Sequence, residues 1–327
     1  MPEQTHLKPP KTAKSILMRS ETIVVILLMT FFILFSRISA GFFSSSMLNV
    51  IFLTGSELGI IALGVTLLII SGEMDLSVAS VFVFSNYIVL ISNQFGLPIL
   101  VSFILGIIFG IGAGFLNGFF TMKFKIPSFV VTLGFMIFWR AVLAGLTNGE
   151  PTYYEGVPTR LFKVLGGQIG FIPNQFIWFC ILAVVFSIVL NRTKFGNWIM
   201  ATGGSIQTAR ALGVNIFRTK MICFMISSSL AAFAGASFLV RSSYLDPIVA
   251  TGMELEAVAA AVIGGTVLTG GIGSIIGTSI CAFLLKVVQV GIATYGIRVE
   301  YYNVLVGILL MIAAVINSAL IKKLLKT

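Results

Sequence analysis

Few residues in this chain carry groups able to do chemistry, and their placement is uneven. Glu73, Asp75 and Ser77 fall in "GEMDLSVAS" (72–80), between apolar runs at 58–70 and 81–91. Glu57 lies inside another apolar run, at "TGSELG", and Glu254 and Glu256 open a further one. A carboxylate in such surroundings must find a partner or sit at a polar edge, because burying it unpaired is costly. The residues of the common catalytic and metal sites are sparse. The only histidine, His6, is in a polar tail, and Cys180, Cys223 and Cys281 all lie in apolar runs at no metal-ligand spacing. The cysteines read as small core hydrophobes. No G-x-x-x-x-G-K-[ST] loop and no G-x-S-x-G elbow occurs. The expectation is no catalytic residue and no metal site.

Composition says what must position these groups. Of 327 residues, 57% are hydrophobic and 10% charged, against about 25% charged in soluble domains. Mean hydropathy is +1.06. The apolar runs are continuous rather than alternating, which excludes a β-barrel and implies helices that satisfy their own backbone in lipid. The reading is an all-α, polytopic integral membrane protein. A net charge of +10 reads as loop charge facing the cytoplasm, since no clustered basic face suggests nucleic acid.

Apolar length places about ten transmembrane helices. They fall at 22–38, 47–70, 76–93, 97–121, 128–147, 174–191, 217–240, 252–268, 273–294 and 301–321. The 252–268 run is short for a crossing. With both termini cytoplasmic, most of the 21 lysines and arginines face inward. Trp139, Trp178 and several tyrosines then gather at outer ends, where amphipathic rings favour the interface. This divides the chain into a cytoplasmic tail (1–21), a transmembrane domain (22–321) and a second cytoplasmic tail (322–327). The basic start followed by further spans favours a retained first helix over a cleaved leader.

In this frame "GEMDLS" is a break at the inner surface. Asp75 is predicted to cap the third span by accepting from the amides of Ser77 or Val78, with Glu73 facing the cytoplasm. A gating role for the motif is the alternative. Glu254 and Glu256 sit at a loop edge, which leaves Glu57 as the one deep acid. A hydrogen bond from a Ser or Thr is the favoured account of Glu57, and a proton relay the other. Asn117, Ser128 and Thr132 are candidates to line a polar path. The glycine-dense stretches 106–118 and 264–277 permit close helix approach or unwound backbone.

Two connections are long. Residues 148–173 lie outside and are rich in Gly and Pro. Residues 192–216 lie inside. There Gly203-Gly204 reads as a turn, Ser205 as a cap, 206–212 as two helical turns and Gly213 as a left-handed stop. Ala209 and Gly213 would share one small-residue face. That face fits a groove on a partner, or the segment is a plain connector.

Four stretches carry a resemblance. "LIISGEMDLSVASV" resembles the "GGIDLSVGS" signature of ABC-transporter permeases of the ribose/xylose/arabinose type. "FKIPSFVVTLGFMIFWRA", "GNWIMATGGSIQTARALGVNIFRTK" and "ELEAVAAAVIGGTVLTGGIGSIIGT" are similar to later segments of that family, in family order. Gly72-Glu73-Met74, Ala79 and Ile272 depart from the pattern. The resemblance implies a multi-pass protein of the bacterial inner membrane, importing a sugar or related small polar solute. It implies a second permease copy or paralogue, two cytoplasmic ABC ATPase domains and an extracytoplasmic solute-binding protein. ATP and Mg would belong to the ATPase, with no cofactor in this chain. Ala209, Arg210 and Gly213 would lie on a coupling helix, and Glu150, Glu155 and Arg241 would contact the binding protein. An ion-coupled carrier using Glu57, or an ABC permease for a nucleoside or amino acid, is the competing reading.

Overall fold

The computed structural model describes residues 11–39, 41–154, 160–298 and 300–324. The chain folds into thirteen described helices and four two-residue strands. The first five helices are α1 (Lys11–Ile38), α2 (Ser45–Ile70), α3 (Val78–Gln94), α4 (Ile99–Phe124) and α5 (Ser128–Thr147). After β1 (Thr152–Tyr153) come α6 (Arg160–Gly166), β2 (Gln168–Ile169), β3 (Ile172–Pro173) and α7 (Asn174–Arg192). Then follow α8 (Lys194–Gly204), α9 (Ile206–Ala211), α10 (Ile216–Ser242) and β4 (Tyr244–Leu245). The last three are α11 (Met253–Ile263), α12 (Ile275–Thr294) and α13 (Glu300–Leu324).

Seven of these are long and apolar enough to cross a membrane: α2, α4, α5, α7, α10, α12 and the 21–38 part of α1. α3 and the 300–312 part of α13 are apolar but shorter. The short 252–268 run resolves into the eleven residues of α11 followed by irregular chain to Ser274.

Local chemistry explains the boundaries. Pro98, Pro127 and Pro173 immediately precede α4, α5 and α7, where a missing N–H costs nothing. Ser44, Thr193, Asn215 and Ser274 cap α2, α8, α10 and α12 through their side-chain oxygens.

α2 and α10 form the centre. In α2, 89% of the most apolar stretch is buried, against 6% in α1, so α2 is a core helix and α1 a peripheral one. Its apolar residues run all round, the pattern of a helix surrounded by others. α4 packs on α10 through a glycine row. A Cβ on Gly110 would lie 2.3 Å from that of Ala232, and one on Gly114 would lie 2.4 Å from the Phe224 carbonyl. This is the close approach that the 106–118 stretch suggested.

The structure revises two loop readings. Gly203 and Gly204 are the last turn of α8 rather than a free turn, and the chain bends at Ser205. The 148–173 connection holds α6 and three short strands, which make two small antiparallel pairings, one of them with β4. β1 pairs with β4, Thr152 opposite Leu245 and Tyr153 opposite Tyr244, and β2 pairs with β3. These pairings satisfy backbone groups that polar loop composition alone does not place.

Candidate functional site

The 71–77 break is the most heavily bonded segment of the interior. α2 ends at Ile70, and Gly72 turns the chain with φ +87°, a conformation glycine adopts without steric cost. Asp75 is fully buried. Its Oδ1 accepts from the Ser77 amide (2.9 Å) and the Ser77 hydroxyl (2.6 Å), and its Oδ2 accepts from Ser228 Oγ of α10 (3.1 Å). Asn117 of α4 donates to Ser77 Oγ at 2.8 Å and approaches Oδ1 at 3.4 Å. Ser128 and Thr132 of α5 accept from the amides of Met74 and Leu76, both at 3.1 Å. The residues that sequence separated into a motif and a polar path therefore form one network, joining the break to α4, α5 and α10. The predicted bond from the Ser77 amide to Asp75 is present, but Asp75 is not the cap of α3: the N-cap is Ser77, whose side chain makes no capping hydrogen bond. Donors converging on a carboxylate offset its desolvation without a cation.

Glu73 does not face the cytoplasm freely. It meets Lys220 of α10 at 2.6 Å, with the two side chains 13% and 7% exposed. Lys220 is buried at the start of α10, and a buried ammonium requires a carboxylate partner.

A second set of charges lies near the C-terminal end of α10 and the middle of α12. Glu57 pairs with Arg241 at 3.0 Å, and the guanidinium also lies over the Phe238 ring at 4.9 Å. An arginine, not a Ser or Thr, is thus the partner of Glu57. Glu256 pairs with Lys286, which also donates to Gln289 at 2.9 Å. Arg140 of α5 donates to Thr251 at 2.9 Å and stands 3.8 Å from Glu254. Glu254 and Glu256 lie in the first turn of α11, at the loop edge expected, but are buried there, and Asp75 is buried too, so Glu57 is not the one deep acid. The signal that could have shown this is Lys286, a cation inside an apolar run, which calls for a carboxylate nearby.

In the 192–216 connection, α9 matches its predicted local chemistry. Ser205 Oγ accepts from the Thr208 amide at 3.3 Å, and Gly213 has φ +74°. Its orientation is different from the one expected. Ala209 is fully buried against the protein itself, so it does not share an exposed face with Gly213. Arg210 and Gly213 are exposed, with Ile206 and the 70%-exposed Leu212 beside them. Of the residues expected to meet a binding protein, Glu150 is exposed, Arg241 is engaged with Glu57, and Glu155 lies outside the described residues. Among the described residues no cluster of His, Cys, Asp and Glu could hold a metal ion.

The described residues form a helical bundle with seven membrane-capable helices, two broken elements and an exposed short helix, α9. The chain matches the family described as "Branched-chain amino acid transport system / permease component" over residues 46–314 and belongs to it. It is 30% identical over 301 residues to the autoinducer 2 import system permease protein LsrC of Photorhabdus laumondii subsp. laumondii, covering 92% of this chain and 90% of that one. It is 32% identical over 287 residues to the inner membrane ABC transporter permease protein YjfF of Escherichia coli (strain K12), covering 86% of each. The probable ABC transporter permease protein YphD of the same organism is 29% identical over 301 residues, covering 92% of this chain and 90% of that one. No solved structure matches the chain. The protein is thus a permease component of a transport system, with seven helices able to cross a membrane.

Proposed function

We propose that this permease imports a sugar or related small polar solute, handed over by an extracytoplasmic solute-binding protein. Two cytoplasmic ATPase subunits supply the energy, and a second copy or paralogue completes the pathway. The LsrC relatives are autoinducer 2 import permeases by name, and a small sugar-derived solute of that kind is the substrate class favoured here. The chain crosses the membrane about ten times, with α3, α11 and α13 completing the seven long helices, and both ends are cytoplasmic. The tails are those outlined from sequence, with residues 1–10 and 325–327 outside the described residues.

The observation that carries this reading is α9, a capped helix presenting Ile206, Arg210, Leu212 and Gly213 outward. A short helix with apolar and basic residues suits a groove on a partner. ATPase closure pushes this segment, and alternating access follows if the solute binds the two states with different affinity. Asp75, Ser77, Asn117, Ser128 and Thr132 act here as architecture, since Asp75, Ser77 and the Asn117 amide nitrogen bond one another and Ser128 and Thr132 hold the 74–77 backbone. Glu57 is an ion-pair partner rather than a proton carrier. Residues 148–173 and 243–252, joined by the β1–β4 pairing, receive the binding protein, with Glu150 and Glu155 as rim charges.

The test is a gentle-detergent pull-down of the tagged chain from its own membranes, with mass spectrometry of the copurifying proteins. A P-loop ATPase is expected with the parent and with an Ala211→Ser control. It should be lost from Arg210→Glu and Gly213→Arg. Retention by both charge variants would remove α9 from the interface, and absence of any ATPase from the parent would overturn the proposal.

A further inference from the structure

A groove opens between α1 and α7, with a cavity of about 410 Å³, inside the ~300–1,000 Å³ range of small-ligand sites. α1 packs chiefly on α12 and α7 chiefly on α2, so the two helices stand side by side without closing the gap. Aromatic rings seated on glycines hold them there. A Cβ on Gly59 of α2 would lie 2.5 Å from the Phe179 ring of α7, and one on Gly55 would lie 2.7 Å from the Phe283 ring of α12. A Cβ on Gly291 of α12 would lie 2.4 Å from the Phe35 ring of α1. Phe283 also meets Phe179 and Phe176 of α7, with ring centroids 5.3 and 5.6 Å apart. The floor of the groove, Ile51, Phe52 and Phe283, is therefore fixed. Leu28 and Phe32 of α1 form one wall, and Phe179 and Cys180 of α7 form the other.

We propose that this groove holds one acyl chain of a membrane lipid. Its lining chemistry turns polar occupants away. The Ser279 hydroxyl already donates to the Ile275 carbonyl at 2.8 Å, and the sulfurs of Met29 and Cys180 bond only weakly. A water needs roughly two to four polar partners, and a sugar hydroxyl left without one is costly to bury. What remains is hydrocarbon, and the surroundings set its source. The groove is continuous with the outward faces of two membrane-capable helices, where Ile33 and Leu34 of α1 and Ile181 and Val184 of α7 are 46–59% exposed. Those faces meet the bilayer core, which leads straight into the groove. The lining residues of α12 run from Ser279 to Val287, about 12 Å at ~1.5 Å per residue. That length is close to the ~15 Å depth of one leaflet's hydrocarbon. An acyl chain supplies the contacts that a void would forfeit. It also joins α1, 6% of whose crossing part is buried, to the rest of the bundle. The proposal depends on the membrane-spanning helices and on neither the solute nor the ATPase.

The test places the full chain in vesicles of phosphatidylethanolamine and phosphatidylglycerol, with a trace of phosphatidylethanolamine carrying a diazirine on one acyl chain. After illumination, mass spectrometry of the peptides locates the attached lipid. Label on the groove residues of α7 and α12 should exceed label on the exposed face of α4, at Leu100, Ile104 and Ile108, by about tenfold, a modest site preference. Ser279→Phe fills the groove and should bring its label down to the α4 level with the melting temperature kept. Cys180→Phe fills the same space from the opposite wall and decides the matter if the first variant does not fold. Ile104→Phe, on the exposed α4 face, should preserve the excess. Equal label on the groove and on α4 in the parent would overturn the acyl-chain site. An excess that survives in a folded filled variant would overturn it as well. A Cys180–Cys180 dimer on mild oxidation, in place of the lipid label, would seat a second copy of the chain there instead.

Discussion

Asp75, in the break before α3, and Ser228, in the middle of α10, are joined by a 3.1 Å hydrogen bond across 153 positions of sequence. That bond ties a loop to a core helix, and it is made by a carboxylate compensated only by neutral donors. The side chain at position 75 therefore needs acceptor oxygen more than it needs charge. Asp75→Asn is expected to keep the fold and the uptake of a labelled sugar panel by cells expressing the importer. Asp75→Ala strands the Ser77, Ser228 and Asn117 groups, and each buried polar group left unpaired costs about 1–3 kcal/mol. Thermal unfolding in detergent should show a clear loss for Ala and little for Asn. Uptake lost in a stable, assembled Asp75→Asn protein would contradict the architectural reading.

Glu57 and Arg241 make a second separable pair. Removing one partner of a buried ion pair leaves an uncompensated charge, at a cost of about 3–5 kcal/mol. Arg241→Met alone should therefore lower stability sharply, and Glu57→Gln combined with Arg241→Met should recover most of it. The same residues decide against the ion-coupled reading. Uptake should persist in energised cells after a protonophore collapses the proton gradient, provided cellular ATP is maintained.

The glycine row of α4 should be selective by face. Gly110→Leu must push against Ala232 and the Ser228 carbonyl, and overpacking of this kind costs about 1–3 kcal/mol or more. Gly112→Leu meets open space and should be tolerated. Expression level and melting temperature of the two variants are the measurement.

Position 209 and position 210 should fail in different ways. Ala209 is buried, so Ala209→Arg is expected to destabilise the permease itself. Arg210 is exposed, so Arg210→Glu should leave melting unchanged while releasing the ATPase. Melting curves and copurification measured on the same preparations separate the two.

Much of the bundle was legible because apolar length in lipid is a strong signal. The 128–147 run coincides with α5, and the α2, α7 and α10 runs agree with the helices to within two residues at each end. The caps at Ser205 and the left-handed Gly213 were legible because both depend on neighbours in sequence. The orientation of Ala209 was not, since helical spacing says which residues share a face but not which way that face points. The pairing of Glu73, Glu254 and Glu256 was missed for a related reason. Their cations, Lys220, Arg140 and Lys286, come from other helices, and no local pattern announces a pair formed across the bundle. The close approach of Gly72, Gly203 and Gly270 was hidden in the same way. Each glycine reads alone as a turn or a packing site, and only the tertiary fold brings the three together.

The pairing of Glu256 with Lys286 has a consequence for how the protein is made. α11 begins with two carboxylates in its first turn, and a carboxylate entering the membrane is costly until it meets a partner. Arg140 has already left the ribosome when α11 emerges, and it can receive Glu254. The cation for Glu256 is encoded 30 positions further on. The short helix therefore reaches its place only after α12 has been synthesised, and its insertion is settled together with its neighbour rather than in turn. A nascent chain halted between residues 264 and 286 holds an unmatched acid at the membrane, which makes that interval the vulnerable stage of its biogenesis.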